Sequence, residues 1–168
     1  METRDKSSEG SGELVITRTF DAPRERVFEA WTDCDRFKRW WGPKGFTSPS
    51  CRMDVRVGGE YLGSMRSPDG HEYWSKGRYC EIDAPEKLVL TDSFADEKGN
   101  TVPASYYGMK GNWPLEMLVT VTFEEQDGKT RLTLRHSGTD RISPEDRDDM
   151  RQGWNESFDK LEESLAEQ

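Results

Sequence analysis

Cysteine is scarce in this chain and scattered. Cys34, Cys51 and Cys80 stand far apart without a C-x-x-C pair, and only His71 and His136 are at hand to join them. That pattern suggests neither a disulfide framework nor a zinc site, so no metal and no cofactor is expected. Long apolar runs are also missing. No stretch approaches the ~20 apolar residues that span a bilayer, and the first residues lack the apolar core of a signal sequence. Membrane insertion is not expected, and the expected location is the cytoplasm. No Walker-type loop, no Ser-His-Asp order and no Cys-His pair with supporting spacing is found. Positive charge is in deficit, with 24 Lys and Arg against 33 Asp and Glu and a formal net charge of −9. Nucleic acid and anionic membrane surfaces are therefore poor partners.

What the chain does hold is aromatic. Only 32% of residues are hydrophobic, yet 11% are Phe, Trp or Tyr, so burial has to lean on large rings. A chain of 168 residues fits one domain with a good-sized core. Residues 1–12 are polar and rich in Ser, Gly and charge, which reads as a disordered tail ahead of a domain over 13–168.

The organising stretch is the last one. Ser143 offers a cap, Pro144 suits the first helical position, and Glu145 and Asp146 oppose the helix dipole. Met150, Trp154, Phe158, Leu161 and Leu165 then recur at helical spacing, predicting an amphipathic helix over 144–166, about 34 Å long. Its outer face is acidic. Glu13 to Phe20 reads as a strand, and Asp21 as the cap of a short helix bearing Val27, Phe28, Ala30 and Trp31. A second short helix is predicted around Asp35 to Trp40. From Phe46 the period changes to two: Cys51, Met53, Val55 and Val57 form one inward set, and Tyr61, Gly63 and Met65 continue it beyond the Gly58-Gly59 turn. Strands follow over His71 to Ile82 and Lys87 to Phe94. The stretch from Ala95 to Asn112 reads as an extended loop, mobile without ligand and a candidate lid. The clearest hairpin joins Leu115–Phe123 to Lys129–Ser137 through Asp127-Gly128. The fold class is α+β, a curved antiparallel sheet packed on one long helix, with an internal cavity as a reasonable consequence of that layout.

The ordered succession Phe20-Asp-Ala-Pro23, Val27-Phe-Glu-Ala-Trp31, Trp40-Trp-Gly-Pro43, Asp54-Val-Arg-Val-Gly-Gly59, Pro68-Asp-Gly70, Glu81-Ile-Asp-Ala-Pro85 and Gly153-Trp resembles the activator of Hsp90 ATPase homologue-like family. Its parent is the START and Bet v 1-like (SRPBCC) superfamily. The resemblance covers about Glu13 to Ala166 and implies a helix-grip fold around a pocket for a small apolar or aromatic ligand. The family's eukaryotic members that stimulate Hsp90 carry a further N-terminal domain, whereas twelve polar residues precede the first strand here, so Hsp90 is not an expected partner.

The candidate pocket lining is Trp40, Trp41, Tyr61, Met65, Phe94, Met117, His136, Met150, Trp154 and Phe158, with Gly63, Gly153 and Ser157 leaving room beside them. His136 shares a strand face with Leu132 and Leu134, and Asp92 shares one with Leu88 and Leu90, making each a candidate acid or base. A satisfied core-rim histidine, and an aspartate turned to solvent or paired with an arginine, are the plainer alternatives. The expected function is binding of a small hydrophobic, aromatic, polyketide-like or lipid-like molecule. A cavity enzyme of cyclase, hydrolase or isomerase type using His136 or Asp92, and a chaperone-linked interaction module, are the alternatives. Ligand identity and oligomeric state are not read from the sequence.

Overall fold

The computed structural model describes residues 13–167, so the expected disordered tail over 1–12 lies outside the described residues. The elements are β1 (Glu13–Phe20), α1 (Arg24–Thr32), α2 (Cys34–Phe37), β2 (Cys51–Met53), β3 (Glu60–Arg66), β4 (Glu72–Asp83), β5 (Lys87–Ala95), a 3-10 turn (Ala104–Tyr107), β6 (Met117–Gln126), β7 (Lys129–Ser137) and α3 (Pro144–Ala166). The strands form one sheet in the order β1-β7-β6-β5-β4-β3-β2. Its strand pairs are antiparallel throughout. Sequence neighbours pair along β2 to β7, and β1 closes the other edge beside β7. This is a helix-grip arrangement.

The long helix starts where the sequence puts it: the Ser143 side chain accepts a hydrogen bond from the Asp146 N–H at 3.1 Å. Its second half is clamped. Phe158 and Leu161 are fully buried and Leu165 nearly so, among Phe20, Trp31, Trp40 and the inward residues of β6 and β7. Phe158 meets Phe20 edge-on at 5.9 Å between centroids, a favourable arrangement of ring quadrupoles. The first half is held less closely, and Met150 and Trp154 stay partly buried.

Several local expectations are corrected. The first short helix is capped at Pro23 without a side-chain hydrogen bond, so Asp21 is not its cap. Val55 and Val57 are 38% and 65% exposed and do not continue the inward set, because β2 ends at Met53 and the chain turns back over 54–59. Leu115, 56% exposed, precedes β6 instead of starting it. The stretch after β5 is more built than an extended loop. Ala95 bridges to Thr101, and the Tyr107 hydroxyl donates to the Ala95 carbonyl while accepting from the Trp74 N–H.

The largest correction concerns the cysteines. Cys34 and Cys51 are joined in a disulfide with Cα atoms 5.6 Å apart, linking α2 to β2, while Cys80 is free and exposed. Spacing along the chain gave no hint of this pair, since the fold alone brings an edge strand against the start of α2. Closing a loop across a sequence separation of 17 restricts the unfolded chain and stabilises the native state by about 3 kcal/mol. Unreduced, denatured protein is therefore expected to titrate as a single thiol, and reduction or Cys34→Ser with Cys51→Ser to lower urea-unfolding stability by about that amount. Three titratable thiols without reductant would contradict the bond.

Candidate functional site

The apolar face of α3 changes character along its length, and the site follows from that change. Ser157 and Gly153 interrupt the large side chains just before Phe158. A Cβ added at Gly153 would meet nothing closer than Pro43 Cγ at 3.8 Å, so this face of the helix has space in front of it. The space is a cavity of about 350 Å³ between the first half of α3 and the sheet, within the range of small-molecule sites. Further in, between Trp31, Phe37, Tyr61, Tyr79 and Leu90, only about 20 Å³ stays open, near the size of one water. The inner end is a filled core and the outer end is a pocket.

Each wall has its own origin. The helix supplies Asp146, Asp149, Met150, Gly153, Trp154 and Ser157; the sheet supplies Met65, Ser75, Asp92, Ser93, Phe94, Met117 and His136. The segment after α2 supplies Trp41, Gly42 and Pro43, and the segment before β6 supplies Met109, Trp113 and Pro114. The first of these segments is fastened to α3. Ser157 Oγ donates to the Gly42 carbonyl at 2.8 Å, and Lys160 Nζ donates to the carbonyls of Trp41, Pro43 and Phe46 at 3.4, 3.3 and 3.0 Å. Gly42 has φ +101°, and a Cβ there would come within 3.1 Å of Phe46 Cβ and 3.3 Å of Met65 Cβ, so the turn needs glycine.

Of the residues expected on the wall, Trp41, Met65, Phe94, Met117, His136, Met150 and Trp154 are brought together there. Three are placed elsewhere. Trp40 is fully buried, its indole N–H donating to the Ala30 carbonyl at 2.9 Å, and it packs on Trp31 instead of facing the cavity. Phe158 is likewise a fully buried core ring. Tyr61 lines the small inner void, its hydroxyl donating to the Thr91 carbonyl at 3.0 Å. Gly63 lies near Phe37 and takes no part in the cavity wall. Sequence reasoning missed Trp113, Pro114 and the mouth carboxylates Asp146 and Asp149, and it placed Met109 within the 95–112 loop without assigning it to the wall.

The two titratable candidates come together. His136, 3% exposed, accepts a hydrogen bond at Nδ1 from the Trp154 indole N–H at 3.2 Å. An indole nitrogen only donates, so the neutral imidazole carries its hydrogen on Nε2. Nε2 lies 3.4 Å from Asp92 Oδ2, close enough to attract but not aligned as a hydrogen bond. Asp92 borders both the cavity and the inner void and is the carboxylate at their junction. Chemically the arrangement offers a hydrogen-bond acceptor in an apolar pocket. Among the described residues no group of three His, Cys, Asp or Glu is gathered for a metal.

The chain belongs to the activator of Hsp90 ATPase homolog 1-like family, whose model matches residues 21–166. No match is found among curated proteins. Among solved structures, this chain is similar to protein CV1439 of Chromobacterium violaceum, at 27% identity and TM-score 0.73, with 92% of this chain and 97% of that one covered. It is also similar to a protein of Arthrobacter aurescens, at 27% identity and TM-score 0.78 over 96% and 89% of the two chains. Protein Ms6760 of Mycobacterium smegmatis matches at 27% identity and TM-score 0.69, over 91% and 87%. The helix-grip fold is thus shared nearly end to end. No helix is long and apolar enough to cross a membrane among the described residues.

The filled inner end makes a pH prediction. Burial, then the nearby Asp92 charge and Tyr79, raise the Tyr61 pKa well above 10.0. Burial, then Asp54, raise that of Tyr79 too. Below pH 10 both hydroxyls are protonated whether the chain is folded or not. Above pH 10 the unfolded chain releases protons that the native state keeps, so stability falls by up to about 1.4 kcal/mol per pH unit for each tyrosine. Lys160 acts oppositely: desolvation lowers its pKa from 10.5, so its contribution grows with pH and is complete by about 10.5. Urea midpoints are expected to drop between pH 10.5 and 11.5, and to drop less in Tyr79→Phe. An equal drop in the variant would show that the burial of Tyr79 is not the cause.

Proposed function

We propose that this protein holds a small, mainly apolar molecule in the cavity between the first half of α3 and the sheet. The observation that carries the reading is the contrast within one interior: about 350 Å³ stays open beside Gly153, while the adjoining aromatic core leaves about 20 Å³. Interiors pack to the density of organic crystals, so an opening of this size beside a filled core is a feature to be explained by an occupant. Trp41, Trp154, Phe94 and four methionines around it provide apolar surface, and methionine adapts its shape to what it meets. Membership of the family, and the shared helix-grip fold, support the same reading.

The test is to fill the space. N-phenyl-1-naphthylamine, a neutral probe that fluoresces in apolar surroundings, is expected to bind the wild-type protein with roughly micromolar affinity, about −8 kcal/mol. Gly153→Phe places a ring in the cavity without a close backbone contact, and is expected to weaken binding at least about tenfold while the thermal transition stays cooperative. Unchanged probe binding in a folded Gly153→Phe protein would overturn this placement of the site.

A further inference from the structure

We infer that the ligand of this cavity is a protonated amine on an apolar body, its ammonium group held by Asp92. The inference rests on the cavity being a binding site and adds the charge of what it binds. Among the described residues three carboxylates line the space, Asp92 at its inner end and Asp146 and Asp149 on α3, and no lysine or arginine does. Lys160, on the same helix, is occupied by the carbonyls of Trp41, Pro43 and Phe46 and takes no part in the wall.

Asp92 is the decisive group. Its side chain is 23% exposed, and the one basic side chain within ion-pair reach among the described residues is His136, at 3.4 Å. Trp154 occupies the Nδ1 lone pair of that ring, so the neutral tautomer faces the carboxylate and does not cancel its charge. The His136 Nε2 atom is itself buried and without a hydrogen bond. A half-buried carboxylate with so little compensation is costly in an apolar pocket, and a cation brought in by the ligand relieves that cost. The aromatic residues Trp41, Trp154, Trp113 and Phe94 line the same walls, and aromatic rings attract an ammonium group through their faces. Carboxylate-headed and phosphate-headed molecules of the same size meet the opposite field, reinforced by a net charge of −9.

The test displaces N-phenyl-1-naphthylamine from the full chain with octylammonium, octanol and octanoate, which share a body and differ in head charge. At neutral pH and low salt, octylammonium is expected to act at concentrations at least about tenfold below octanol, with octanoate weakest. Asp92→Asn should bring octylammonium and octanol within about twofold of each other. Asp146→Asn with Asp149→Asn, at the helix start, should leave most of the preference. If Asp92→Asn fails to fold, the head-group order in the wild-type protein decides alone. Equal displacement by octanol and octylammonium, or octanoate acting first, overturns the inference while probe binding still supports the cavity. Loss of the whole preference in the Asp146/Asp149 variant overturns the assignment to Asp92, and a probe that does not bind at all overturns both readings.

Discussion

Phe158 sits where β1, α1, the segment after α2 and α3 converge, and its ring is fully buried. Ring contacts run from it to Phe20, Trp31, Trp40 and Trp154 at 5.7 to 6.3 Å between centroids. Aromatic pairs in edge-on and tilted arrangements are worth about 0.5–1.5 kcal/mol each beyond the area they bury. Together with Leu161 and Leu165 they fix the second half of α3 to the sheet. A helix is stiff, so fixing one half sets the direction of the other, and the first half is carried out over the sheet with only Met150 and Trp154 of its large apolar side chains packed against the core. The cavity is a consequence of where the large side chains stop.

Leverage alone would leave a cleft open to solvent. Polar bonds turn it into a walled space: Ser157 and Lys160, on the same helix, hold the backbone of Trp41 to Phe46 against α3. Burying part of a lysine costs desolvation energy, which is why its pKa falls, and three carbonyl acceptors offset that cost. The Glu156 carboxylate accepts from the Lys44 backbone N–H at 3.0 Å and adds a further tie. These groups are short of catalytic geometry but set the shape of the pocket, and they couple the position of Trp41 to the helix that also carries Trp154.

How much of this was legible in the sequence depends on whether the signal was periodic. The steps of Met150, Trp154, Phe158, Leu161 and Leu165 gave the long helix, and alternation with Asp127-Gly128 gave the β6–β7 hairpin, because both patterns are set by geometry local to the chain. The ordered motifs then gave the family. Neighbours in sequence with opposite fates were not separable. Trp40 and Trp41 are consecutive residues just beyond α2, and only the packed structure tells which ring goes into the core and which faces the opening. Val55 and Val57 kept the alternation of β2 after the strand itself had ended, since a turn does not erase a period of two. The Cys34–Cys51 bond and the Asp92–His136 pair depend on contacts between distant strands and helices, which no spacing along the chain records.

The same separation between local and distant signals explains why charge is the more telling property of the site than shape. An apolar wall is what any core needs, so Met65, Phe94 and Met117 by themselves would fit a core as well as a pocket. A carboxylate is different, because a core has no use for one without a partner. Asp92 stands at the junction of the filled and open parts of the interior, and among the described residues the basic side chain within ion-pair reach is His136. An interior that closed completely would need a basic neighbour for a carboxylate at that point, and among the described residues neither lysine nor arginine lines the wall. Keeping a carboxylate at that point is consistent with an interior that stays open to receive a group of opposite charge.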